Sequence, residues 1–312
     1  MRLLQIRLMS IVVMLCLMAG SIGATASVSA KDDKPTISIG GVGYTEQNIQ
    51  IEMMALMLED AGFKTETNPS IASEALLHQA HLSGDIDVSV QYTGSGLVGI
   101  LGMDIPAATE DATIAEQSYD IVKTEFEDQF GMIWLDPLGF NNTYALIVTK
   151  ETADELGVST ISDLVEHAPD LSLGTDIPFP ARPDGLPGVE AAYDIHFGKV
   201  VPMDVGLLYA AVDGGEVDVA VGYSTDGRIP RFDLVILEDD RDYFPPYYAA
   251  PVINQELLEE YPELGDILNQ TAGLYDNETM AELNAQVDEE GRDERDVARA
   301  FLEEHGIIGE ED

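Results

Sequence analysis

Short apolar runs alternate along the chain with longer stretches in which apolar residues recur every three or four positions. The short runs predict strands at residues 36–40, 86–90, 132–135, 145–149, 171–173, 217–221 and 234–237. The longer stretches predict helices, the clearest of them at residues 47–61, 114–130, 279–287 and 293–304. Such alternation predicts an α/β protein whose sheets are mostly parallel and covered by helices on both faces.

Residues that commonly start and end helices flank two of the predicted helices. Thr45 precedes the helix at 47–61 and Gly62 follows it, while Gly131 follows the helix at 114–130. A threonine side chain can accept a hydrogen bond from the first turn, and glycine readily adopts the left-handed conformation that ends a helix. We therefore expect Thr45 to cap the first helix and the two glycines to end both.

One pattern of strand and turn occurs twice, 131 residues apart. The segment GDIDVSVQYTGSG spans residues 84–96, and GEVDVAVGYSTDG spans residues 215–227. Each predicts a short strand followed by a tyrosine, Tyr92 or Tyr223, on a polar turn that contains glycine. Two copies of one αβ unit predict two similar lobes. Because open α/β sheets bind ligands beyond the carboxyl ends of their strands, we expect the two tyrosines to face each other across a cleft.

The first 30 residues differ from the rest of the chain. Two arginines precede an uncharged run over residues 8–22, and small residues follow up to Ala26 or Ala30. This pattern predicts a signal peptide over residues 1–30 and export to the periplasm or cell surface, with an uncleaved membrane anchor as the alternative. Since Cys16, the single cysteine, lies in this run, the exported chain would have neither disulfides nor thiolate chemistry.

The chain is strongly acidic, with 58 Asp and Glu against 15 Lys and Arg and a net charge of −43. Beyond residue 30 the 58 acids remain and the basic residues number 13, because Arg2 and Arg7 are lost, so the net charge becomes −45. Self-repulsion of this size excludes nucleic acid as a partner. The acids are spread over the whole length, which indicates a solvated surface. Since salt screens such repulsion, we hypothesise a high-salt habitat.

The sequence contains no catalytic or metal-binding motif that accounts for its organisation. GGVGYTE at residues 40–46 is superficially similar to a dinucleotide-binding loop, but Glu46 stands where that fingerprint needs glycine. His78 and His81 have no third ligand nearby, so we interpret them as surface or boundary residues and expect no metal and no cofactor. Neither a nucleophile elbow nor a phosphate loop occurs, and we therefore predict that the protein is not an enzyme.

Tyrosines near turns offer a different kind of chemistry. Besides Tyr92 and Tyr223, Tyr144 lies in FNNTYAL and Tyr247 lies in FPPYYAAP. Several tyrosine faces around one cavity suit a quaternary ammonium group, which cannot donate hydrogen bonds. A lone tyrosine is more often a half-buried packing residue, but the repeat weakens that interpretation for Tyr92 and Tyr223.

Arg182 lies in FPARPDGLPG, in a chain that has few cations. A guanidinium in a rigid loop suits bidentate capture of a carboxylate, and a salt bridge to one of the many acids is the alternative. A cation–π contact contributes about 0.5 to 2 kcal/mol and a charged hydrogen bond about 1.5 to 3 kcal/mol. Micromolar affinity requires about 8 kcal/mol. An aromatic cage and a carboxylate clamp together reach that range, whereas either alone falls short.

Several motifs, in order and spacing, resemble the glycine betaine/choline-type osmoprotectant-binding proteins of ABC transporters. They are GYTEQ, EALLHQAHLSGDIDVSVQYTG, WLDPLGFNNTYAL, RPDGLPG, GEVDVAVGYSTDGRI, LEDDRDYFPPYYAAP and LNAQVDEEGRD. The resemblance implies a two-lobed type II periplasmic-binding-protein fold with the ligand in the cleft between the lobes. Residues 31–139 with 249–312 would form lobe 1, and residues 140–248 would form lobe 2.

The resemblance also implies roles for individual residues. Carried over position by position, the ligand contacts are Tyr92, Tyr144, Tyr223 and Tyr247 as an aromatic box, Arg182 as the carboxylate-binding arginine, and Ser95 and Asn142 as polar contacts. Val42 is a departure, because the family commonly has lysine or glutamine at this position. We expect one ligand contact to be missing there.

The sequence thus predicts an exported, monomeric solute-binding protein. It would capture glycine betaine or a related quaternary ammonium osmolyte and deliver it to the transmembrane permease subunit of an ABC importer. Three alternatives stay open: a choline-selective binding protein of the same fold, an enzyme acting on a quaternary ammonium compound, and a surface or scaffold protein that binds no ligand.

Overall fold

Two five-stranded sheets form the framework of the protein, which we describe from a computed structural model covering residues 34–109, 112–182 and 185–309, with only the backbone of Pro230. The first sheet contains, in spatial order, β2 (Lys64–Asn68), β1 (Thr36–Gly40), β3 (Val88–Tyr92), β10 (Ala249–Asn254) and β4 (Met132–Trp134). The second sheet contains β7 (Lys199–Pro202), β6 (Ser172–Thr175), β8 (Val219–Tyr223), β5 (Tyr144–Thr149) and β9 (Leu234–Ile236). The predicted signal peptide lies outside the described residues.

The two sheets share one strand order, as the sequence repeat predicted for two similar units. Strands β6, β7 and β8 occupy the places of β1, β2 and β3. The equivalence extends to hydrogen bonds: the backbone amide and the hydroxyl of Ser38 both donate to Asp87 Oδ2, at 2.8 and 2.7 Å. The amide and hydroxyl of Ser172 donate to Asp218 Oδ2 at the same two distances. One folding unit has therefore been used twice.

Each sheet is mixed: four of its five strands run in one direction, in keeping with the prediction of mostly parallel sheets, but one interior strand runs opposite to them. Strand β1 pairs in parallel with β2 and β3, whereas β10 pairs antiparallel with β3 and β4. In the second sheet β6 has the two parallel neighbours, and β5 has the two antiparallel ones. The reason is the chain path, because β5 and β10 each enter a sheet directly after crossing from the other.

The two repeat strands lie two residues later than the sequence predicted. Strand β3 ends at Tyr92 and β8 ends at Tyr223, so both tyrosines are the last residues of strands and not turn residues. Antiparallel pairing extends each strand this far, since Tyr92 lies opposite Ala249 and Tyr223 lies opposite Tyr144. The antiparallel pairing with β10 and β5 thereby fixes the position of both tyrosines.

Helices cover the sheets and confirm the α/β class. The α-helices are α1 (Thr45–Asp60), α2 (Glu74–Ser83), α3 (Ile114–Phe130), α4 (Lys150–Leu156), α5 (Ile161–Leu164), α6 (Leu186–Tyr193), α7 (Val205–Asp213), α8 (Arg228–Arg231), α9 (Gln255–Glu260), α10 (Glu263–Leu268), α11 (Asn277–Asp288) and α12 (Glu294–Glu304). A π-helix at Ser95–Ile100 follows β3. None of the helices in the described ranges is both long enough and apolar enough to span a membrane.

Helix ends follow the predicted signals with one exception. Helix α3 has its predicted bounds and ends at Gly131, whose φ is 64°, and Gly62 follows α1 with a φ of 85°. Thr45 does not cap α1, because Tyr44 is the N-cap residue and the Thr45 hydroxyl donates to Asp288 Oδ1 at 2.7 Å. That bond ties the start of α1 to the end of α11.

Two chain segments cross between the sheets side by side. One follows β4 and leads to β5, and the other leads from β9 to β10. The Leu138 amide donates to the Ala249 carbonyl at 2.9 Å, and the Asn142 amide donates to the Tyr247 carbonyl at 3.1 Å. We call residues 135–143 and 237–248 the crossing segments. Their hydrogen bonds make them an antiparallel pair that joins the two sheets.

Candidate functional site

A cavity of about 510 Å³ lies where β3, β5 and β8 present their tyrosines. All seven residues singled out from the sequence line it: Tyr92, Ser95, Asn142, Tyr144, Arg182, Tyr223 and Tyr247. They come from five separate stretches of the chain, and folding brings them to one place. Their role as ligand contacts stays a prediction.

Three of the tyrosine rings form a continuous aromatic surface. The ring centroid of Tyr144 lies 5.3 Å from that of Tyr223 with an interplanar angle of 32°. It lies 6.1 Å from the Tyr247 centroid at 88°, nearly perpendicular. All three tyrosines line the cavity, and aromatic rings are groups that attract cations.

The Tyr247 ring packs against the backbone of Gly94. It lies on a crossing segment, and its amide donates to Asn141 Oδ1 at 2.7 Å. A Cβ atom placed on Gly94 would lie 2.6 Å from the Tyr247 ring. A glycine in the turn after β3 is therefore required for this wall of the cavity.

Tyr92 is hydrogen-bonded to a buried carboxylate. Its hydroxyl donates to Glu46 Oε1 at 2.6 Å, and the side-chain amide of Asn142 donates to the same oxygen at 2.9 Å. The Thr225 hydroxyl donates to Glu46 Oε2 at 2.6 Å. Burial raises the pKa of Glu46, which is 4% exposed, and these three donors oppose the rise. Glu46 thus collects donors from chain segments attached to both sheets.

Tyr223 has the matching arrangement in the second half of the chain. Its hydroxyl donates to Asp176 Oδ2 at 2.7 Å, and the Phe179 amide donates to Asp176 Oδ1 at 2.8 Å. Asp176 is 4% exposed. Both repeat tyrosines therefore pair with a buried acid.

Two arginines line the cavity in different ways. The guanidinium carbon of Arg182 lies 5.7 Å from the centroid of the Tyr144 ring, beside the aromatic surface. Arg228 donates to both carboxylate oxygens of Asp226, at 2.8 and 2.6 Å, and covers the ring of Tyr209. The charge of Arg228 is thus matched by a carboxylate on the same turn.

The cavity is more acidic than the sequence interpretation suggested. Its lining includes the carboxylates of Glu46, Glu74, Asp204, Asp226 and Asp288. Burial raises the pKa of Glu74 to about 7, and the positive charge of Arg182 opposes this shift. Sequence reasoning missed these acids as site residues. A usable signal was that helices following the sheet strands begin near the cleft, where Glu46, Glu74 and Asp204 lie at or next to the starts of α1, α2 and α7.

Val42 does not belong to the cavity lining among the described residues. Its amide donates to the side-chain oxygen of Gln47 at 2.8 Å, which helps form the turn between β1 and α1. The expectation that a ligand contact is missing at this position therefore rests on the family pattern alone.

His78 and His81 are buried, so their interpretation as surface or boundary residues is wrong. They are 5% and 3% exposed. His81 lies 2.8 Å from Ser89 Oγ and 3.1 Å from Asn254 Oδ1, and burial lowers its pKa to about 4. The ring of His78 packs edge-on against Phe130 at 4.5 Å. Within the ranges that the structure describes, no group of three or more His, Cys, Asp or Glu is placed to hold a metal ion.

Comparisons with known proteins point to one family. A family model for the substrate-binding domain of ABC-type glycine betaine transport systems matches residues 35–304. The chain is 38% identical over 278 residues to a carnitine transport binding protein of Listeria monocytogenes, with 88% of each chain covered. It is 34% identical over 305 residues to a glycine-betaine-binding protein of Pseudomonas aeruginosa, with 94% of each covered. The crystal structure of a glycine betaine/carnitine/choline ABC transporter aligns with a TM-score of 0.77 at 36% identity, over 87% of this chain and 99% of that one.

Proposed function

Because the chain belongs to the family of substrate-binding domains of ABC-type glycine betaine transport systems, we propose that its tyrosine-lined cavity captures glycine betaine or a related quaternary ammonium solute. Membership of this family confirms the resemblance found in the sequence and the two-lobed α/β fold that it implied. The ligand and its contacts are the part that we infer.

The observation that carries the proposal is the convergence of three tyrosine rings beside an arginine. Tyr223 and Tyr247 lie 5.3 and 6.1 Å from Tyr144, and Arg182 lies 5.7 Å from the same ring. A trimethylammonium group would bind the ring faces, which attract cations without needing a hydrogen-bond donor. The Arg182 guanidinium would bind the carboxylate at the other end of a short zwitterion. Ser95, Asn142 and Tyr92 would complete the contacts.

The proposed mechanism is binding followed by closure, without a reaction. Lobe 1, residues 31–139 with 249–312, and lobe 2, residues 140–248, would close on the ligand because contacts with both favour the closed state. A monomeric protein exported by its signal peptide would then deliver the ligand to the permease subunit of an ABC importer. The named relatives are transport binding proteins, which supports this role over an enzymatic one.

Choline is a second candidate ligand, and the charge of the cavity favours it. Five carboxylates and two arginines line the site, and Arg228 is already paired with Asp226. A net negative lining attracts a cation more strongly than a zwitterion of similar size. Choline would use the tyrosine faces and leave Arg182 without a ligand carboxylate.

Substitution of Arg182 by alanine separates the two ligands. Loss of a charged hydrogen-bond pair of about 1.5 to 3 kcal/mol predicts that Arg182→Ala weakens glycine betaine binding by about tenfold to a hundredfold. Choline binding should change little, since choline has no carboxylate. We would measure both affinities by titration calorimetry in concentrated salt, on the chain beginning after residue 30.

Arg292→Ala is the matched control, because Arg292 is exposed and lies outside the cavity lining. It should bind both ligands as the wild type does. Equal losses for glycine betaine and choline in Arg182→Ala would contradict the carboxylate role. Failure of the wild type to bind glycine betaine, carnitine, choline or proline betaine would overturn the proposed function.

A further inference from the structure

The two repeat tyrosines share a feature that the aromatic box alone does not explain. Tyr92 donates its hydroxyl to Glu46 at 2.6 Å, and Tyr223 donates its hydroxyl to Asp176 at 2.7 Å. Both acceptors are 4% exposed. The two acids lie in different parts of the fold: Glu46 is in the first turn of α1, and Asp176 directly follows β6. Both halves of the repeat thus place a buried carboxylate at the hydroxyl of a cavity tyrosine; Glu46 itself lines the cavity, whereas Asp176 is not part of the lining.

A carboxylate changes the electrostatics of a phenol that donates to it. The hydrogen bond draws the proton toward the acceptor and leaves more negative charge on the phenol oxygen and the ring. Attraction between a cation and an aromatic face depends on that negative charge. Burial is the largest cause that raises the pKa of both tyrosines; Glu46 follows for Tyr92, and Tyr144 and then Asp176 follow for Tyr223, so both hydroxyls keep their protons and remain donors. The buried pair therefore has a direct effect on how strongly each ring attracts a cation.

We propose that Glu46 and Asp176 are positioning residues that act through Tyr92 and Tyr223, increasing the negative charge of the ring faces so that the cavity selects a quaternary cationic centre over a neutral group of the same shape. This inference rests on the proposed function. It assigns the selection of ligand charge to two acids that are not among the predicted ligand contacts.

A purely structural role is the competing explanation, and it makes a different prediction. The Phe179 amide also donates to Asp176, and Asn142 and Thr225 also donate to Glu46, so both acids hold local structure. Damage to that structure would weaken every ligand alike. Weaker polarisation of the rings would reduce binding only of ligands that carry the positive charge.

Two pairs of ligands that differ only at the quaternary centre distinguish these explanations. Choline pairs with 3,3-dimethyl-1-butanol, and glycine betaine pairs with 3,3-dimethylbutanoate, in which carbon replaces the charged nitrogen. The first variant is Asp176→Asn. It keeps one side-chain oxygen for the Phe179 amide, while its NH₂ group donates to the tyrosine oxygen and reverses the polarity of that hydrogen bond.

We expect Asp176→Asn to lower the affinity for choline and glycine betaine by about fivefold, part of the free energy of one cation–π contact. Affinity for the two neutral-centre analogues should stay at the wild-type value, so the ratio within each pair falls. Glu46→Gln should lower the same ratio, in addition to any loss common to all ligands from its contacts with Thr225 and Asn142.

A double-mutant cycle tests whether the acid acts through the tyrosine. In Tyr223→Phe the hydroxyl is absent, so adding Asp176→Asn should cause no further change in the charged-to-neutral ratio. A further fall of the ratio in that background would show that the carboxylate attracts the ligand directly and would overturn the positioning role. Equal losses for charged and neutral ligands in the single variants would overturn it as well.

The outcomes separate this inference from the proposed function. If the wild type binds none of the quaternary ligands, the proposed function fails and this inference fails with it. If the wild type binds them and Asp176→Asn leaves the ratio unchanged, only this inference fails. Melting temperatures of the unliganded variants identify any variant that does not fold. If an acid variant does not fold, the charged-to-neutral ratio is measured in Tyr223→Phe, which retains the ring and lacks the hydroxyl that donates to Asp176.

Discussion

At the scale of single residues, Glu74 provides a test of the electrostatics of the cavity. Burial raises its pKa from 4.5 to about 7 in the folded protein. An acid with a raised pKa stabilises the fold fully below its unfolded pKa, and this contribution is lost as pH rises through the folded pKa. The unliganded wild type should therefore lose stability between about pH 4.5 and 7 on account of Glu74.

The variant Glu74→Gln removes this contribution because its side chain stays neutral. Relative to the wild type, its free energy of unfolding should gain on the order of 3 kcal/mol between pH 4.5 and pH 8. Urea unfolding of both proteins at several pH values measures this difference. The titration of the other acids is common to both proteins and therefore cancels. If the free energy of unfolding depends on pH in the same way in the wild type and in Glu74→Gln, the raised pKa of Glu74 is contradicted.

Single-residue patterns revealed the aromatic members of the site but not their acidic partners. The repeat marked Tyr92 and Tyr223, and the family motifs marked Tyr144, Tyr247 and Arg182. The role of Glu46 could not be predicted, because one of its donors, Thr225, is 179 residues away in the chain. Hydrogen bonds over such separations depend on the packing of whole elements, which no local pattern encodes.

At the scale of elements, the strands β2, β7 and β10 escaped prediction. Strand β2 has the sequence KTETN and is largely exposed at the edge of its sheet, so it has no buried face to create an alternating pattern. Strand β10 lies inside the first sheet but contains Pro251, which usually indicates an edge strand or a loop. The similarity of the two sheets followed from the repeat, whereas the strand order was not predicted, and the direction of β5 and β10 depended on the path of the chain between the sheets.

The turn after β3 gives a prediction about how an element shapes the cavity. A methyl group on Gly94 would meet the Tyr247 ring at 2.6 Å, although the backbone, with φ of −64°, accepts alanine. We expect Gly94→Ala to displace that ring and to weaken the best ligand of the wild type by about tenfold, the free energy of one cation–π contact. Titration calorimetry measures the loss.

Gly99→Ala, in the π-helix that follows Gly94, is the matched control, since an added Cβ there meets nothing within 4 Å. It should bind ligand as the wild type does. Unchanged binding in Gly94→Ala would mean that the Tyr247 ring contributes little to affinity.

At the scale of the whole molecule, the acidic surface predicts a dependence on salt. The chain has 58 acidic and 15 basic residues, so repulsion between like charges opposes the compact state. Raising sodium chloride from about 0.1 to 1 M shortens the Debye length from about 10 to 3 Å. We expect the melting temperature to rise by about 10 °C or more over this range, since 1 kcal/mol corresponds to a few degrees in a protein of this size.

Calorimetry of the unliganded protein measures this rise, and sucrose of equal osmolality is the control for effects that do not depend on charge. A melting temperature that does not respond to salt would contradict both the repulsion and the hypothesis of a high-salt habitat.

We expect the paired crossing segments to restrict how the two halves move. Hydrogen bonds from Leu138 to Ala249, the first residue of β10, and from Asn142 to Tyr247 tie the two connections together, so they should resist twisting and sliding more than bending about one line. Opening would then be a rotation of one half relative to the other about a single hinge axis. One distance, between a spectroscopic label in each sheet, would therefore describe the entire motion, and a single rate constant in each direction would describe its kinetics.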